Sequence, residues 1–212
     1  IEEYTWSPDG ASIAILTGAK PPDAWESELN RRNARKLKLT VSGEPSAGRT
    51  LLLLDVAKST LRTVAQLDAG ATTFSWFPNG QALVFQTNYT GQYNDEQKYD
   101  LWMVDLSGST RQLTSAKGPE TSPRVSPDGR NIAFISQTVP DIEFAKTEIS
   151  ILNMETLAIR RLTGEAVHSV ETVDWLPDGS LLALFNVGTS AELHIVDART
   201  GALNRVTDPT LV

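Results

Sequence analysis

Residues that could do chemistry are few in this chain. It has two histidines, His168 and His194, and no cysteine, which excludes disulfides, thiolate catalysis and cysteine-based metal sites. The nearest approach to a Gly-x-Ser-x-Gly nucleophile elbow is GEPSAG at residues 43–48, where the serine has the wrong spacing. Neither histidine can be matched to a serine and an aspartate as a catalytic triad. The sequence therefore predicts no catalytic, cofactor-binding or metal-binding residue.

Charge and composition exclude further classes of function. The 212 residues carry a formal net charge of −7, which argues against a general nucleic-acid binder because such a protein presents a basic face to phosphates. The sequence has no run of about eighteen apolar residues, so we expect no membrane-spanning helix. A chain without cysteine suits the cytoplasm and the periplasm of a bacterial-like cell equally, and the compartment stays open between them.

A proline turn that occurs four times organises the whole sequence. Each copy has proline, then aspartate or asparagine, then glycine, and the prolines stand at positions 8, 78, 127 and 177. Proline presets φ at the second turn position and glycine takes a positive φ at the fourth, so each copy predicts a tight hairpin. The spacings of 70, 49 and 50 residues between the prolines mark a repeat architecture.

Each turn joins two predicted strands, and two further strands follow before the next turn. The strand after each turn is apolar on both faces, which is typical of a strand that is covered on both sides. Four antiparallel strands per repeat predict an all-β fold, a β-propeller with four visible blades that is part of a larger propeller. The whole chain, 1–212, is then propeller, with blades at about 1–68 (including a long insertion at 18–48), 71–115, 120–164 and 169–208.

The two ends of this array are expected to be incomplete. Ile1 already lies in a strand-like run, and residues 207–212 resemble the approach to another repeat. We therefore interpret the sequence as a fragment or a processed product. The outer faces of the first and last blades would then be exposed, which is a stability problem for this piece alone.

Arginines recur on the predicted fourth strands, at the outside of each blade. A ladder of guanidinium groups could bind an anion. A solvated outer edge guarded by charge is the interpretation we favour. The residues concerned are Arg62, Arg111, Arg160, Arg161 and Arg205.

The repeat resembles the WD-like propeller repeat of TolB and of the prolyl oligopeptidase family, which includes the acylaminoacyl peptidases. The resemblance is carried by RQLT at 111–114 with TSPRVSPDGRNIAF at 121–134, and by LWMVDL at 101–106. It covers nearly the whole chain and is specific for the fold. The true WD repeat is not matched, because its Gly-His and Trp-Asp pairs are missing.

Two functions are compatible with this resemblance. It implies a non-catalytic propeller domain of a serine peptidase, which gates the access of short peptides to a downstream α/β-hydrolase domain. The long charged insertion in an early blade favours this interpretation. The alternative is a TolB-like module that binds protein partners on one propeller face and performs no chemistry. A propeller lyase would need metal-binding histidines, and two are too few to favour it.

The insertion contains a candidate docking or gating segment. Residues 23–36 predict a helix with acidic side chains early and basic side chains late, as the helix dipole favours. Residues 23–38 carry five basic and three acidic side chains. One interpretation is an arm that contacts a second domain, a second subunit or an acidic ligand, and the other is a solvated loop with one hydrophobic anchor. The candidate residues are Trp25, Leu29, Arg31, Arg32, Arg35 and Lys36.

A carboxylate pair at the start of the chain is the other candidate. The dipeptidyl-peptidase branch of the family holds the free amine of its substrate with a glutamate pair in the propeller. By this resemblance Glu2 and Glu3 are candidate amine-binding residues. Their context departs from the motif, because they lie close to the Trp6 turn. Solvation of a strand end is the competing interpretation.

Overall fold

The computed structural model describes residues 1–18, 31, 48–68, 70–88, 98–139, 142 and 145–207. Within these ranges sixteen strands form four antiparallel sheets, each made of four strands that are consecutive in the chain. The predicted all-β architecture of four-stranded antiparallel blades is confirmed. Blade 1 contains β1 (Glu3–Trp6), β2 (Ser12–Gly18), β3 (Arg49–Asp55) and β4 (Thr60–Leu67); blade 2 contains β5 (Thr72–Trp76), β6 (Ala82–Asn88), β7 (Tyr99–Asp105) and β8 (Thr110–Gln112); blade 3 contains β9 (Glu120–Val125), β10 (Asn131–Gln137), β11 (Thr147–Asn153) and β12 (Ile159–Arg161); blade 4 contains β13 (Ser169–Trp175), β14 (Leu181–Val187), β15 (Ser190–Val196) and β16 (Leu203–Arg205).

The proline turns join the first two strands of each blade, and their glycines adopt the left-handed conformation that the sequence predicts. In blade 3 the Ser126 hydroxyl donates to Asp128 Oδ1 at 2.6 Å and accepts from the Asn131 amide at 3.0 Å, so side chains close the turn. The Ser126 amide bonds to the Asn131 carbonyl. In blade 4 the Leu176 amide bonds instead to the Ser180 carbonyl, which makes this turn one residue shorter. The φ values are 70° at Gly10, 67° at Gly80, 72° at Gly129 and 83° at Gly179.

The apolar core lies between the blades, in three clusters that each join one blade to the next. Alternate residues of a central strand point to opposite neighbours. In blade 3, Ile132 and Phe134 pack with blade 2, whereas Ala133 and Ile135 pack with blade 4. All four side chains are buried. This burial on both faces explains why the strand after each turn is an unbroken apolar run rather than an alternating one.

Tryptophans at the end of the innermost strand join neighbouring blades. Trp76 Nε1 donates to the carbonyl oxygen of Thr5 at 3.4 Å, and Trp175 Nε1 donates to that of Arg124 at 2.9 Å. Each bond runs from one blade to the innermost strand of the preceding blade. The residues that it joins are about 50 to 70 positions apart in the chain. The same side chain therefore fills the core and fixes the angle between two blades.

Replacing Trp175 by phenylalanine is expected to destabilise the protein more than the same change at Trp102. Trp102 Nε1 is buried and has no hydrogen-bond partner within the described ranges, so it is a matched control for the loss of indole volume. The lost bond to Arg124 should add about 1 kcal/mol to the cost at Trp175. Urea unfolding of the two variants checks this, and equal losses would contradict the role of the bond.

The outer arginines also contact the next blade. Arg62 Nη1 donates to the carbonyl oxygen of Leu106 at 3.2 Å, and Arg160 Nη2 donates to that of Ala198 at 2.6 Å. Both bonds are exposed, as expected for an outer edge in water. Two of the predicted edge arginines thus connect the rim of one blade with the outer turn of its neighbour.

Candidate functional site

The predicted docking segment falls mostly outside the described residues. Trp25, Leu29, Arg32, Arg35 and Lys36 all lie there, and their role stays a prediction. Of the six candidates only Arg31 is described, and its side chain is exposed.

The structure places the two candidate carboxylates in contacts with their own chain. Glu2 forms an ion pair with Arg49, at the edge of blade 1. Glu3 lies at the contact between blades 1 and 2. Its Oε2 accepts from the Thr73 amide at 2.7 Å and its Oε1 from the Phe74 amide at 2.9 Å. These contacts account for both side chains within the propeller, and the amine-binding role stays a prediction.

Glu3 supports an unusual piece of backbone in blade 2. Thr73 has a φ of 55°, a left-handed conformation that costs a residue with a side chain roughly 1–2 kcal/mol. The register of β5 against β6 shifts at this point, between Thr72 and Ser75. The carboxylate of Glu3 therefore holds a β-bulge of the next blade in place by accepting two adjacent amides.

Buried acidic side chains occupy the second position of the third strand in blades 2 and 3. Asp100 Oδ2 accepts from Gln112 Nε2 at 2.9 Å, and Glu148 Oε1 accepts from Arg161 Nε. Asp100 is 7% exposed and Glu148 is fully buried. In each blade the partner comes from the fourth strand, so the pair ties the outermost strand to the core.

Glu120 is the most unusual buried group. It begins β9 at the contact between blades 2 and 3 and is 2% exposed. Burial, together with a smaller effect of the negative charge of Asp100, raises the pKa of Glu120 to about 7, although a hydrogen bond with Thr114 opposes the rise. Burial also raises the pKa of Asp100, against a hydrogen bond from Gln112. Glu120 Oε2 has no hydrogen-bond partner in the described part of the chain. As the pH rises through neutrality, Glu120 therefore becomes negatively charged at the contact between blades 2 and 3.

Comparison of the repeats could have identified Glu120 before the structure was known. It lies five residues before the end of the innermost strand. Ala71 and Val170 hold that place in blades 2 and 4, and both are buried. The turns alone do not reveal this group, because its signal lies at the start of the innermost strand. A glutamate at a position that is otherwise apolar is the signal.

A cleft of about 620 Å³ opens between the turns of blades 3 and 4. The corresponding turns of blades 2 and 3 are in contact. Pro78 Cδ lies 3.4 Å from the position that a Cβ atom on Gly129 would occupy. The turn of blade 4 on the other side of this cleft is one residue shorter than the turn of blade 3. The side chains that line the cleft include Asp128, Arg160, Trp175, Asp178, Asp197 and Arg199.

The carboxylates of this cleft are held ionised by their own turns. A hydrogen bond from the Ser126 hydroxyl, followed by one from the Arg130 amide, lowers the pKa of Asp128. Hydrogen bonds from the amide and hydroxyl of Thr200 lower the pKa of Asp197. Negative charges thus stand beside the Arg160 and Arg199 guanidinium groups and the Trp175 ring. Such a surface suits a polar or charged peptide segment rather than an apolar one.

Among the described residues, neither histidine is part of a catalytic arrangement. His194 Nε2 lies 3.1 Å from Glu192 Oε2, and its ring packs edge-on against Phe185 at 5.1 Å. Glu192 Oε1 is also 3.0 Å from Arg205 Nη1. His168 is exposed in the loop before blade 4. Across the residues that the structure describes, no three acidic or histidine side chains are grouped to hold a metal ion.

No helix in the described ranges is long and apolar enough to cross a membrane.

Sequence comparison relates the chain to two groups of proteins. Residues 77–138 match the family described as the dipeptidyl peptidase IV N-terminal region. Dipeptidyl-peptidase 5 of Porphyromonas gingivalis is 26% identical over 145 residues, which are 66% of this chain and 21% of that protein. The Tol-Pal system protein TolB of Francisella tularensis is 31% identical over 100 residues, which are 46% of this chain and 21% of that protein. The chain thus spans about a fifth of the length of these curated relatives.

A solved structure has the same fold. The acylaminoacyl peptidase of Pyrococcus horikoshii superposes with a TM-score of 0.68 over 97% of this chain and 31% of its own, at 11% identity. This likeness concerns the fold alone. Taken with the four-stranded blades and the sequence matches, it identifies the chain as a TolB-type β-propeller related to the N-terminal propeller of these peptidases.

Proposed function

We propose that this chain is a non-catalytic propeller domain of a prolyl-oligopeptidase-like serine peptidase, where it gates the access of short peptides to an α/β-hydrolase domain. The observation that carries the proposal is the match of residues 77–138 to the dipeptidyl peptidase IV N-terminal region. The alignment with a dipeptidyl-peptidase over 145 residues points the same way. The nucleophile, the acid and the histidine would belong to another part of a longer protein.

The blade contacts suit such a gate, because a gate that selects by size must be rigid. Neighbouring blades are joined by buried apolar clusters and by the hydrogen bonds of Trp76, Trp175 and Glu3. In the proposed role, we expect such a wall to exclude folded proteins and to admit extended peptides. The ionised side chains of the cleft between blades 3 and 4 offer a polar surface to a peptide or to a second domain.

Fluorophosphonate labelling of the longer protein tests this proposal, with its intact mass read on the same sample. We expect one covalent label per molecule and loss of labelling after heat denaturation. The isolated 212-residue chain serves as the control and should stay unlabelled. A label on this isolated chain, or a native parent protein without a label, would contradict the proposal.

The alternative is a TolB-like module that binds a protein partner and has no enzymatic role. The 31% identity with a TolB protein over 100 residues favours it. An unlabelled parent protein only a few blades longer than this chain would support the module over the peptidase. The cleft between blades 3 and 4 is then the first surface to test for partner binding.

The basic segment of the insertion is proposed as the arm that contacts the hydrolase domain. Its excess of positive charge in a chain of net charge −7 motivates this role. Reversing Arg35 and Lys36 to glutamate in the parent protein should lower kcat/KM for peptides and change its salt dependence. Lys58→Glu, on an outer turn of blade 1, is the control. Unchanged kinetics in the double variant would exclude the role.

The carboxylate pair at the start of blade 1 is proposed to hold the amine of a peptide substrate. In the parent protein Glu2→Gln should raise KM for peptides with a free amino terminus and leave KM for amino-blocked peptides unchanged. An equal effect on both substrates would show that Glu2 serves only its ion pair with Arg49.

A further inference from the structure

The cleft between the turns of blades 3 and 4 has the size of a binding site. Its volume of about 620 Å³ falls within the roughly 300–1,000 Å³ that ligand pockets occupy. Each wall belongs to a blade whose four strands are all described, so the cleft lies at a contact inside the array of blades. The turns of blades 2 and 3 meet through Pro78 and Gly129, which shows that packing one blade on the next does not by itself require such an opening.

A tryptophan ring lines this cleft. Trp175 ends the innermost strand of blade 4 and is partly exposed. Trp76, which ends the innermost strand of blade 2, is only 8% exposed. The indole of Trp175 donates to the carbonyl oxygen of Arg124 at 2.9 Å, and this bond holds the ring in place. A tryptophan ring that is fixed and partly exposed offers a face to a cation.

Two turn carboxylates in the same cleft each keep one oxygen free. The Ser126 hydroxyl and the Arg130 amide both donate to Oδ1 of Asp128. The amide and the hydroxyl of Ser180 both donate to Oδ1 of Asp178. Within the described part of the chain, the Oδ2 atoms of these two exposed aspartates have no hydrogen-bond or ion-pair partner. Each carboxylate can therefore accept a hydrogen bond from a donor outside this chain.

The sign of the charge changes along the cleft. Asp128 and Asp178 lie in the turns between the first and second strands of their blades, at the inner end. Arg160 lies on the fourth strand of blade 3 and Arg199 in the last turn of blade 4, at the outer end. Asp197 also lies at the outer end, where the charge of Arg199 is one of the causes that lower its pKa. The inner end thus suits a cation and the outer end an acidic or carbonyl group.

We propose that this cleft binds an extended segment of a partner protein, with a lysine or arginine side chain of that segment between the Asp128 and Asp178 carboxylates and against the Trp175 ring. The cation would donate charge-assisted hydrogen bonds to the two Oδ2 atoms and interact with the face of the ring. Because a side chain is recognised, the segment needs no free terminus and can belong to a longer chain. The proposal does not depend on whether the parent protein is a peptidase or a TolB-like module.

Isothermal titration calorimetry with two matched peptides tests the proposal on the 212-residue chain. The first peptide is acetyl-Gly-Arg-Ser-Ser-Glu-Gly-amide, and the second has citrulline, which has the shape of arginine without its charge. We expect a Kd of roughly 100 µM for the arginine peptide at low salt, as for a weak and transient contact. The citrulline peptide should bind at least about tenfold more weakly, because it cannot form charge-assisted hydrogen bonds. Added salt should weaken the binding of the arginine peptide.

Substitution of the two carboxylates shows where the peptide binds. Asp128→Asn with Asp178→Asn removes both charges and keeps the turns, because Asn79 already fills this place in blade 2 and accepts the same turn bond. The double variant should bind the arginine peptide at least about tenfold more weakly. Asp9→Asn is the matched control, because Asp9 closes the same kind of turn in blade 1, away from the cleft. This control should bind like the unsubstituted chain, and near-UV circular dichroism checks that both variants are folded.

Four outcomes would overturn the proposal. The first is that the arginine peptide does not bind at millimolar concentration. The second is equal binding of the arginine and citrulline peptides, and the third is unchanged binding in the double variant. The fourth is tighter binding of a citrulline peptide with a free amino terminus, which would mean that the cleft holds the ends of short peptides. Fluorophosphonate labelling of the longer protein measures a separate property, so this proposal and the proposed function can fail independently.

Discussion

Glu120→Gln is expected to stabilise the protein by about 3 kcal/mol more at pH 8 than at pH 4. The carboxyl of Glu120 has a pKa of about 7 in the folded chain, against an ordinary value of 4.5. Between these values the unfolded chain releases its proton and the folded chain keeps it, so stability falls as pH rises from 4.5 to 7. Above pH 7 both states are ionised and the loss stays constant. Glutamine keeps the shape of the protonated acid and has no charge to bury.

Urea unfolding of the unsubstituted 212-residue chain and of the Glu120→Gln variant at several pH values measures this difference in the free energy of unfolding. Asp178→Asn is the control with the opposite sign. Hydrogen bonds from the Ser180 hydroxyl and amide lower the pKa of Asp178, so its contribution is present above its ordinary pKa and is lost only on acidification. The difference in the free energy of unfolding between Asp178→Asn and the unsubstituted chain should not change between pH 5 and pH 8. If the free energy of unfolding depends on pH in the same way for Glu120→Gln and for the unsubstituted chain, the pKa of Glu120 is not raised by burial.

Glu3→Ala is expected to destabilise the protein by about 3 kcal/mol, because two charge-assisted hydrogen bonds at a blade contact are lost. The amides of Thr73 and Phe74 would lose the carboxylate that accepts them. The left-handed Thr73 would also lose the contact that holds it. Glu3→Gln keeps one oxygen, so about half of this loss is expected from it.

Glu2→Ala is the matched control for the Glu3 series. Glu2 pairs with Arg49 while 44% of its side chain is exposed, and an exposed ion pair contributes about 1 kcal/mol or less. Urea unfolding ranks the three variants, and hydrogen exchange should become faster at the Phe74 amide in Glu3→Ala. If Glu3→Ala costs no more than Glu2→Ala, water replaces the carboxylate and the link between blades 1 and 2 does not depend on it.

Glu3 and Glu120 show which features of this protein its sequence does not predict. The prolines, the glycines and the apolar runs predict the turns and the central strands, because each signal lies within about ten residues of chain. Glu3 looks like a solvated strand end in the sequence, and its partners are 70 and 71 positions away. Glu120 looks like one acid among many, and only the packing of blade 3 on blade 2 buries it.

The sequence by itself determined the all-β class, the four turns and the order of strands in each blade, since local turn chemistry and side-chain periodicity specify these features. The tertiary structure alone decided which side chains join the blades, how Glu120 acquires its pKa and where a cleft opens between blades 3 and 4. The physical reason is that each of these properties depends on contacts between different repeats. Burial, hydrogen bonding and the space between turns are set by the packing of one blade on the next, and no single repeat encodes them.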